Sequence, residues 1–140
     1  MKWIARAFVF TAALVLGTFT GSLFGTVPGG TSLNAEDLRG TWQGNFGRDS
    51  GSCTIEITRV EGDAVYGTLE KEGALIRFEG YFNPRTRKFY FEETAVLRLG
   101  ANMGEWSLGR NSAIVAADGR FLTGDGYDKW GQYTWSASNY

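Results

Sequence analysis

The chain has 140 residues, with 14 basic and 15 acidic side chains, one cysteine and no histidine. The absence of histidine excludes a histidine-based catalytic triad and a histidine metal site, and a single cysteine excludes an intramolecular disulfide. A net charge of −1 without basic clusters offers no footprint for nucleic acid. A chain of this length is expected to hold one domain.

The N-terminal segment has the composition of an export signal. Lys2 and Arg6 precede an apolar run that carries no charge from Ala7 to Val27. We expect residues 1–27 to form a helix that serves either as a cleaved signal peptide or as an uncleaved signal anchor. In both cases the rest of the chain lies outside the cytoplasm, and membrane contact is expected only through this segment. Residues 28–35 are expected to form a linker, followed by the folded domain at 36–140.

In the folded domain, apolar and polar residues alternate between turn signals at roughly ten-residue spacing, which predicts an all-β domain. The expected strands are Thr41–Phe46, Cys53–Val60, Ala64–Lys71, Ala74–Asn83, Lys88–Arg98, Glu105–Ala117, Arg120–Tyr127 and Gln132–Ala137. An open sheet would expose two edges and its apolar face. We therefore expect an eight-stranded antiparallel meander closed into a small barrel, with the first strand paired to the last.

The turn lengths also predict which residues face each other and which point inward. The expected facing pairs are Arg59 with Val65, Tyr81 with Tyr90, Phe82 with Phe89, Val115 with Leu122, Gly124 with Trp135 and Gly126 with Tyr133. The residues expected inside the barrel are Trp42, Gly44, Phe46, Ile55, Ile57, Val65, Leu69, Ile76, Phe78, Phe82, Phe89, Phe91, Leu97, Trp106, Leu108, Val115, Leu122, Tyr133 and Trp135. Cys53 is expected to be a small buried apolar residue.

The stretch "LRGTWQGNF" places Gly40 and Trp42 in the first strand of this meander. A Gly-x-Trp at that place resembles the calycins, which include the lipocalins and the avidin-like proteins. The order "LRGTW", "CTIEI" and "EGDAVYGTLE" is similar to the opening hairpins of the avidin-like family. The resemblance implies a barrel with a ligand site inside. It does not extend to biotin, because Gly44 and Leu69 stand where that family places an Asn and a Tyr.

By analogy with calycins, the barrel mouth is expected at the end that collects the loops Gly47–Ser52, Glu72–Gly73, Leu99–Gly104 and Asp128–Gly131. Trp130 at a loop tip is either a ligand contact or a lid, and Trp42 is expected to close the other end. The aromatic interior either lines a small apolar pocket or fills the barrel completely. The candidate ligand-binding residues are Trp42, Phe46, Phe78, Phe91, Glu93, Trp106, Arg110, Trp130, Tyr133 and Trp135.

Glu93 and Arg110 are the unusual members of this set. Alternation from Phe91 carries Glu93 inward, and alternation from Trp106 carries Arg110 inward to a place opposite Glu93. Three interpretations remain open at this point: an ion pair that holds a polar group of a ligand, a satisfied core pair, and a bulge at "GRNS" that turns Arg110 out to solvent.

The leading expectation is an exported β-barrel that binds a small, largely apolar molecule in its interior. The alternative is a filled barrel that acts as a structural or interaction module of the cell envelope, with Tyr66, Tyr81 and Tyr90 as an outward contact patch. The sequence contains no catalytic motif. Glu92 and Glu93 do not form a paired-carboxylate site, because neighbouring residues on a strand point to opposite faces. No cofactor and no metal site are expected.

Overall fold

The computed structural model of the protein describes residues 32–139. The expected signal peptide or anchor at 1–27 lies outside these residues, as do positions 28–31 of the expected linker. Within residues 32–139, no helix is both long enough and apolar enough to cross a membrane.

A short 3₁₀ helix at Ala35–Leu38 precedes the strands of one antiparallel sheet. The strands are β1 (Gly40–Phe46), β2 (Gly51–Glu61), β3 (Ala64–Lys71), β4 (Ala74–Asn83), β5 (Lys88–Arg98), β6 (Arg110–Val115), β7 (Phe121–Asp128) and β8 (Gly131–Ser138). Each strand pairs with the next in the chain, and β1 also pairs with β8, for example Phe46 with Trp135. The predicted all-β, eight-stranded antiparallel closed barrel is therefore confirmed.

Aromatic rings pack tightly in the middle of the barrel. The ring centroid of Phe91 lies 4.5 Å from that of Phe78, 5.3 Å from that of Phe89 and 5.5 Å from that of Trp135. The three phenylalanine side chains are completely buried. Rings this close leave no room for a ligand among them, so the middle of the barrel is a packed core.

The 3₁₀ helix covers one end of the barrel. Ala35 and Leu38 are buried, and Trp42 lies beneath them with no exposed surface. The Trp42 indole Nε1–H donates a hydrogen bond of 2.9 Å to the Leu38 carbonyl oxygen. Trp42 therefore closes this end as predicted, and it does not line the mouth cavity.

Most of the predicted facing pairs are confirmed: Tyr81 with Tyr90, Phe82 with Phe89, Val115 with Leu122, Gly124 with Trp135 and Gly126 with Tyr133. The pairing of Arg59 with Val65 is wrong, because Arg59 faces Tyr66 and Val60 faces Val65. The register shifts between Ile57 and Arg59, where a β-bulge adds one residue to β2.

The strand predicted at Glu105–Ala117 is too long, since β6 begins only at Arg110 and residues 103–109 are irregular. Leu108 is consequently 44% exposed instead of inward-facing. Leu97, also predicted inside, is 48% exposed. The β4–β5 register shifts twice, between Arg77 and Phe78 and between Leu75 and Ile76. The extra residues on β5 break the alternation that the prediction assumed.

Candidate functional site

A half-open cavity of about 230 Å³ lies at the barrel mouth. It is bounded by the β1–β2 turn, the irregular segment before β6, the β7–β8 turn and the upper ends of β3, β5 and β8. The residues that line it are Phe46, Gly47, Arg48, Asp49, Lys71, Glu93, Met103, Glu105, Trp106, Ser107, Asp128, Trp130 and Tyr133. The packed core lies below it, so within the described residues the mouth is where a ligand can enter the barrel.

Glu93 places a carboxylate in this cavity although its side chain is only 3% exposed. The Trp106 indole N–H donates to Glu93 Oε1 at 2.7 Å, and the Asn111 amide donates to Oε2 at 2.9 Å. Burial raises the pKa of Glu93 above its ordinary value, and these two hydrogen bonds oppose that rise because they favour the ionised form. The carboxylate is held in one orientation by donors from two other segments of the chain.

Tyr133 extends this polar network across the barrel. Its hydroxyl donates a 2.8 Å hydrogen bond to Asn111 Oδ1, and it lies 3.5 Å from Glu93 Oε2. Burial and the nearby Glu93 carboxylate raise the pKa of Tyr133, so the phenol stays neutral at physiological pH. The network has room because β7 carries Gly126 beside it: a Cβ at Gly126 would collide with Asn111 Oδ1 and lie 2.8 Å from Tyr133 Cζ.

Aromatic rings form the walls of the cavity. Phe46 lies 5.1 Å from the Tyr133 ring, centroid to centroid, and both side chains are largely buried. Trp106 is half-buried, and Trp130 is 54% exposed on the rim. A ligand in this space would lie against apolar ring surface while its polar group reaches the Glu93 network.

Three ion pairs surround the mouth. Lys71, whose side chain is 8% exposed, pairs with Asp49, and this contact lowers the pKa of Asp49. Arg48 reaches Asp128 at 2.5 Å, and its guanidinium lies 5.4 Å from the centre of the Tyr133 ring. Lys129 pairs with Glu105 at 2.7 Å. The Lys129–Glu105 pair holds the irregular segment before β6 against the β7–β8 turn.

The predicted site residues separate into three groups. Phe46, Glu93, Trp106, Trp130 and Tyr133 come together around the mouth cavity. Trp42, Phe78, Phe91 and Trp135 are buried in the core and do not line it. Arg110 belongs to neither group, because it does not line the cavity and is not buried in the core.

The prediction that Arg110 points inward opposite Glu93 is wrong. Arg110 faces Glu92 across β5 and β6, its side chain is 52% exposed, and its Nε lies 3.7 Å from Glu92 Oε1. The physical reason is that the chain from Glu105 to Gly109 is irregular, so alternation counted from Trp106 does not carry into β6. The outward orientation agrees with the interpretation in which Arg110 is turned out to solvent. The cause, however, is the late start of β6 and not the bulge that this interpretation assumed.

Asn111 and Lys71 are members of the site that the sequence prediction missed. Alternation counted back from the inward Val115 reaches Asn111, and alternation counted forward from the inward Leu69 reaches Lys71. The signal was therefore available in both strands. For β6, alternation counted back from Val115 places Asn111 inside, whereas alternation counted from Trp106 places Arg110 inside. The two patterns disagree where the strand begins.

Comparisons of the chain with protein-family models, with curated proteins and with solved structures found no match. Between Ser32 and Asn139, no group of three or more acidic or cysteine side chains is placed to hold a metal ion. The class that the fold and the cavity define is an all-β, eight-stranded antiparallel closed barrel, compatible with a calycin-like fold, with a cavity at one end.

Proposed function

We propose that the protein is an exported barrel that binds a small, largely apolar molecule in its mouth cavity. The observation that carries this proposal is the cavity itself, in which ring surfaces of Phe46, Trp106 and Tyr133 surround the buried Glu93 carboxylate. Aromatic walls around a few fixed polar groups are typical of small-molecule sites. The ion pairs at the rim are consistent with the proposal, because they join loops that bound the cavity.

The volume limits the ligand. Pockets for drug-sized molecules usually begin at about 300 Å³, and this cavity measures about 230 Å³. The completely buried Phe78 and Phe91 prevent it from extending deeper. A ligand with a single aromatic ring or a short aliphatic body fits inside this space, whereas a long acyl chain would extend out through the open side.

Calorimetric titration of the full-length chain with indole and with 2-phenylethanol tests the proposal. In Met103→Trp a larger side chain fills the cavity that Met103 lines, so we expect uptake of both probes to be lost. Leu99→Trp is the matched control, since Leu99 is 43% exposed and outside the lining, and it should bind as the unmodified chain does. Absence of uptake by the unmodified chain, or equal uptake by Met103→Trp, contradicts the proposal.

Export is part of the proposal and rests on the charge and apolar pattern of residues 1–27. A periplasmic reporter enzyme fused to the C-terminus should be active in a bacterial host, and replacing residues 1–27 by a lone Met should abolish that activity. Reporter activity that survives the replacement would refute export through this segment.

The alternative function, an interaction module with a filled barrel, is favoured by one observation on the outer surface. Tyr81 and Tyr90 stack with ring centroids 5.2 Å apart, and Arg59 lies 3.9 Å over the centre of the Tyr66 ring. These half-buried rings form an amphipathic patch on β3, β4 and β5. A Tyr81→Ser, Tyr90→Ser double variant should then lose pull-down of a cell-envelope partner while the ligand titration above stays unchanged.

A further inference from the structure

Glu93 lacks a basic partner within the part of the chain that the structure describes. Ion pairs join the other carboxylates of the cavity, Asp49, Asp128 and Glu105, to Lys71, Arg48 and Lys129. The Glu93 oxygens accept hydrogen bonds from neutral groups, Trp106, Asn111 and the Gly109 backbone, with the Tyr133 hydroxyl at the limit of bonding distance. Among the described residues, Glu93 is therefore the carboxyl group of the cavity that has no basic partner.

A buried carboxylate of this kind is costly when it is ionised, because neutral donors replace only part of the hydration it loses. A carboxylate offers about four acceptor positions. The Trp106 and Asn111 N–H groups occupy two of them at 2.7 and 2.9 Å, and the Gly109 backbone contributes a further hydrogen bond. Glu93 also lines the cavity. A cationic donor that enters the mouth can therefore use the remaining acceptor capacity and compensate the charge.

The walls favour the same chemistry. Aromatic faces attract cations through their quadrupole, and the attraction is strongest for an indole ring. Trp106, whose indole N–H edge meets the carboxylate, and Phe46 line the cavity, while Arg48 already lies over the Tyr133 ring. The cations Arg48 and Lys71 are each already held by a carboxylate, so they do not make the cavity attractive to an anionic ligand.

We propose that the mouth cavity is a site for a small organic cation, a protonated amine on a compact apolar body, whose ammonium group donates to the Glu93 carboxylate while its body packs on the surrounding rings. This inference rests on the proposed ligand-binding function and specifies the chemical class of the ligand. It differs from that function in requiring the charge of Glu93.

Three matched probes separate the two claims: 2-phenylethylamine, 2-phenylethanol and phenylacetate, which present an ammonium, a hydroxyl and a carboxylate on the same ring. Calorimetric titration of the full-length chain at pH 8 should show the amine binding about ten- to a hundredfold more tightly than the alcohol, the range expected for a charged hydrogen bond. Phenylacetate should bind most weakly.

Glu93→Gln keeps the shape of the side chain and removes its charge. The Asn111 amide can turn to present its oxygen to the new amide, while its nitrogen then donates to the Tyr133 hydroxyl oxygen. We expect this variant to lose the preference for the amine and to keep its affinity for the alcohol. Glu61→Gln is the matched control, because Glu61 lies outside the cavity and is exposed and paired with Arg59; it should keep the preference.

Equal affinity of the unmodified chain for amine and alcohol overturns the cation site and leaves the proposed function standing. A preference that persists in Glu93→Gln, or that Glu61→Gln removes equally, overturns the role of Glu93. Binding of none of the three probes overturns both proposals. Should Glu93→Gln fail to fold, the comparison of amine with alcohol in the unmodified chain still decides whether the cavity prefers a cation.

Discussion

The buried carboxyl group of Glu93 makes the stability of the barrel depend on pH, and the variant Glu93→Gln isolates that dependence. Burial raises the pKa of Glu93 above its ordinary value of 4.5, and the hydrogen bonds from Trp106 and Asn111 only partly oppose the rise. The folded state therefore holds this proton more tightly than the unfolded chain does. Stability is greatest below pH 4.5 and falls as the pH rises to the folded-state pKa.

The magnitude follows from linkage. Between the unfolded and the folded pKa, one proton separates the two states, so the free energy of unfolding falls by up to about 1.4 kcal/mol for each pH unit. Solvent screening does not reduce this free-energy difference appreciably, because Glu93 is only 3% exposed. The other titratable groups around the cavity, which are Arg48, Asp49, Lys71, Glu105, Asp128 and Tyr133, are common to both proteins and cancel in the difference.

Urea unfolding of the full-length chain and of Glu93→Gln, followed by tryptophan fluorescence from pH 4 to pH 8, measures this difference. The stability of Glu93→Gln relative to the unmodified chain should increase with pH above 4.5 and level off once Glu93 is ionised in both states. A difference that stays constant over this range would refute the reasoning, because the carboxyl would then titrate alike in both states.

Three further outcomes are expected. Gly126→Ala should weaken probe binding and lower the free energy of unfolding by about 1–3 kcal/mol, because its Cβ collides with Asn111 Oδ1; near-normal binding in calorimetry would contradict this. Trp42→Phe should cost about 1–3 kcal/mol in urea unfolding, since it leaves the buried Leu38 carbonyl without its donor; an unchanged midpoint would contradict it. Burial raises the pKa of Cys53 to about 11, so a thiol reagent at pH 8 should label it only after unfolding; prompt labelling of the folded chain would show the side chain to be accessible.

The barrel could be predicted because its determinants are local. Alternation places one apolar face on every strand, and short turns hold neighbouring strands in register, as for Phe82 with Phe89 and Val115 with Leu122. Closure followed from the need to pair the edge strands. The errors fall where a bulge or an irregular segment interrupts alternation, as beside Arg59 on β2 and before Arg110 on β6.

The candidate site could be predicted in part for the same reason. Glu93, Phe46 and Tyr133 point into the barrel by alternation along regular strands, and the sequence alone identified them. Trp106 reaches the site from an irregular segment, where its indole meets Glu93 at 2.7 Å although no periodic pattern specifies its direction. Trp106 does line the cavity, whereas the strand assumed for it was wrong.

The sequence by itself determined the class of fold, the strand order and which face of each regular strand is buried, because these depend on near-neighbour pattern and turn length. Only the tertiary structure decided that the core is filled, that the open space is confined to the mouth and that Glu93 meets neutral donors there instead of Arg110. Those features depend on contacts between segments far apart in the chain, such as Arg48 with Asp128, and on how large rings share one volume. Alternation along a strand carries no information about contacts between distant segments or about how rings fill a shared volume.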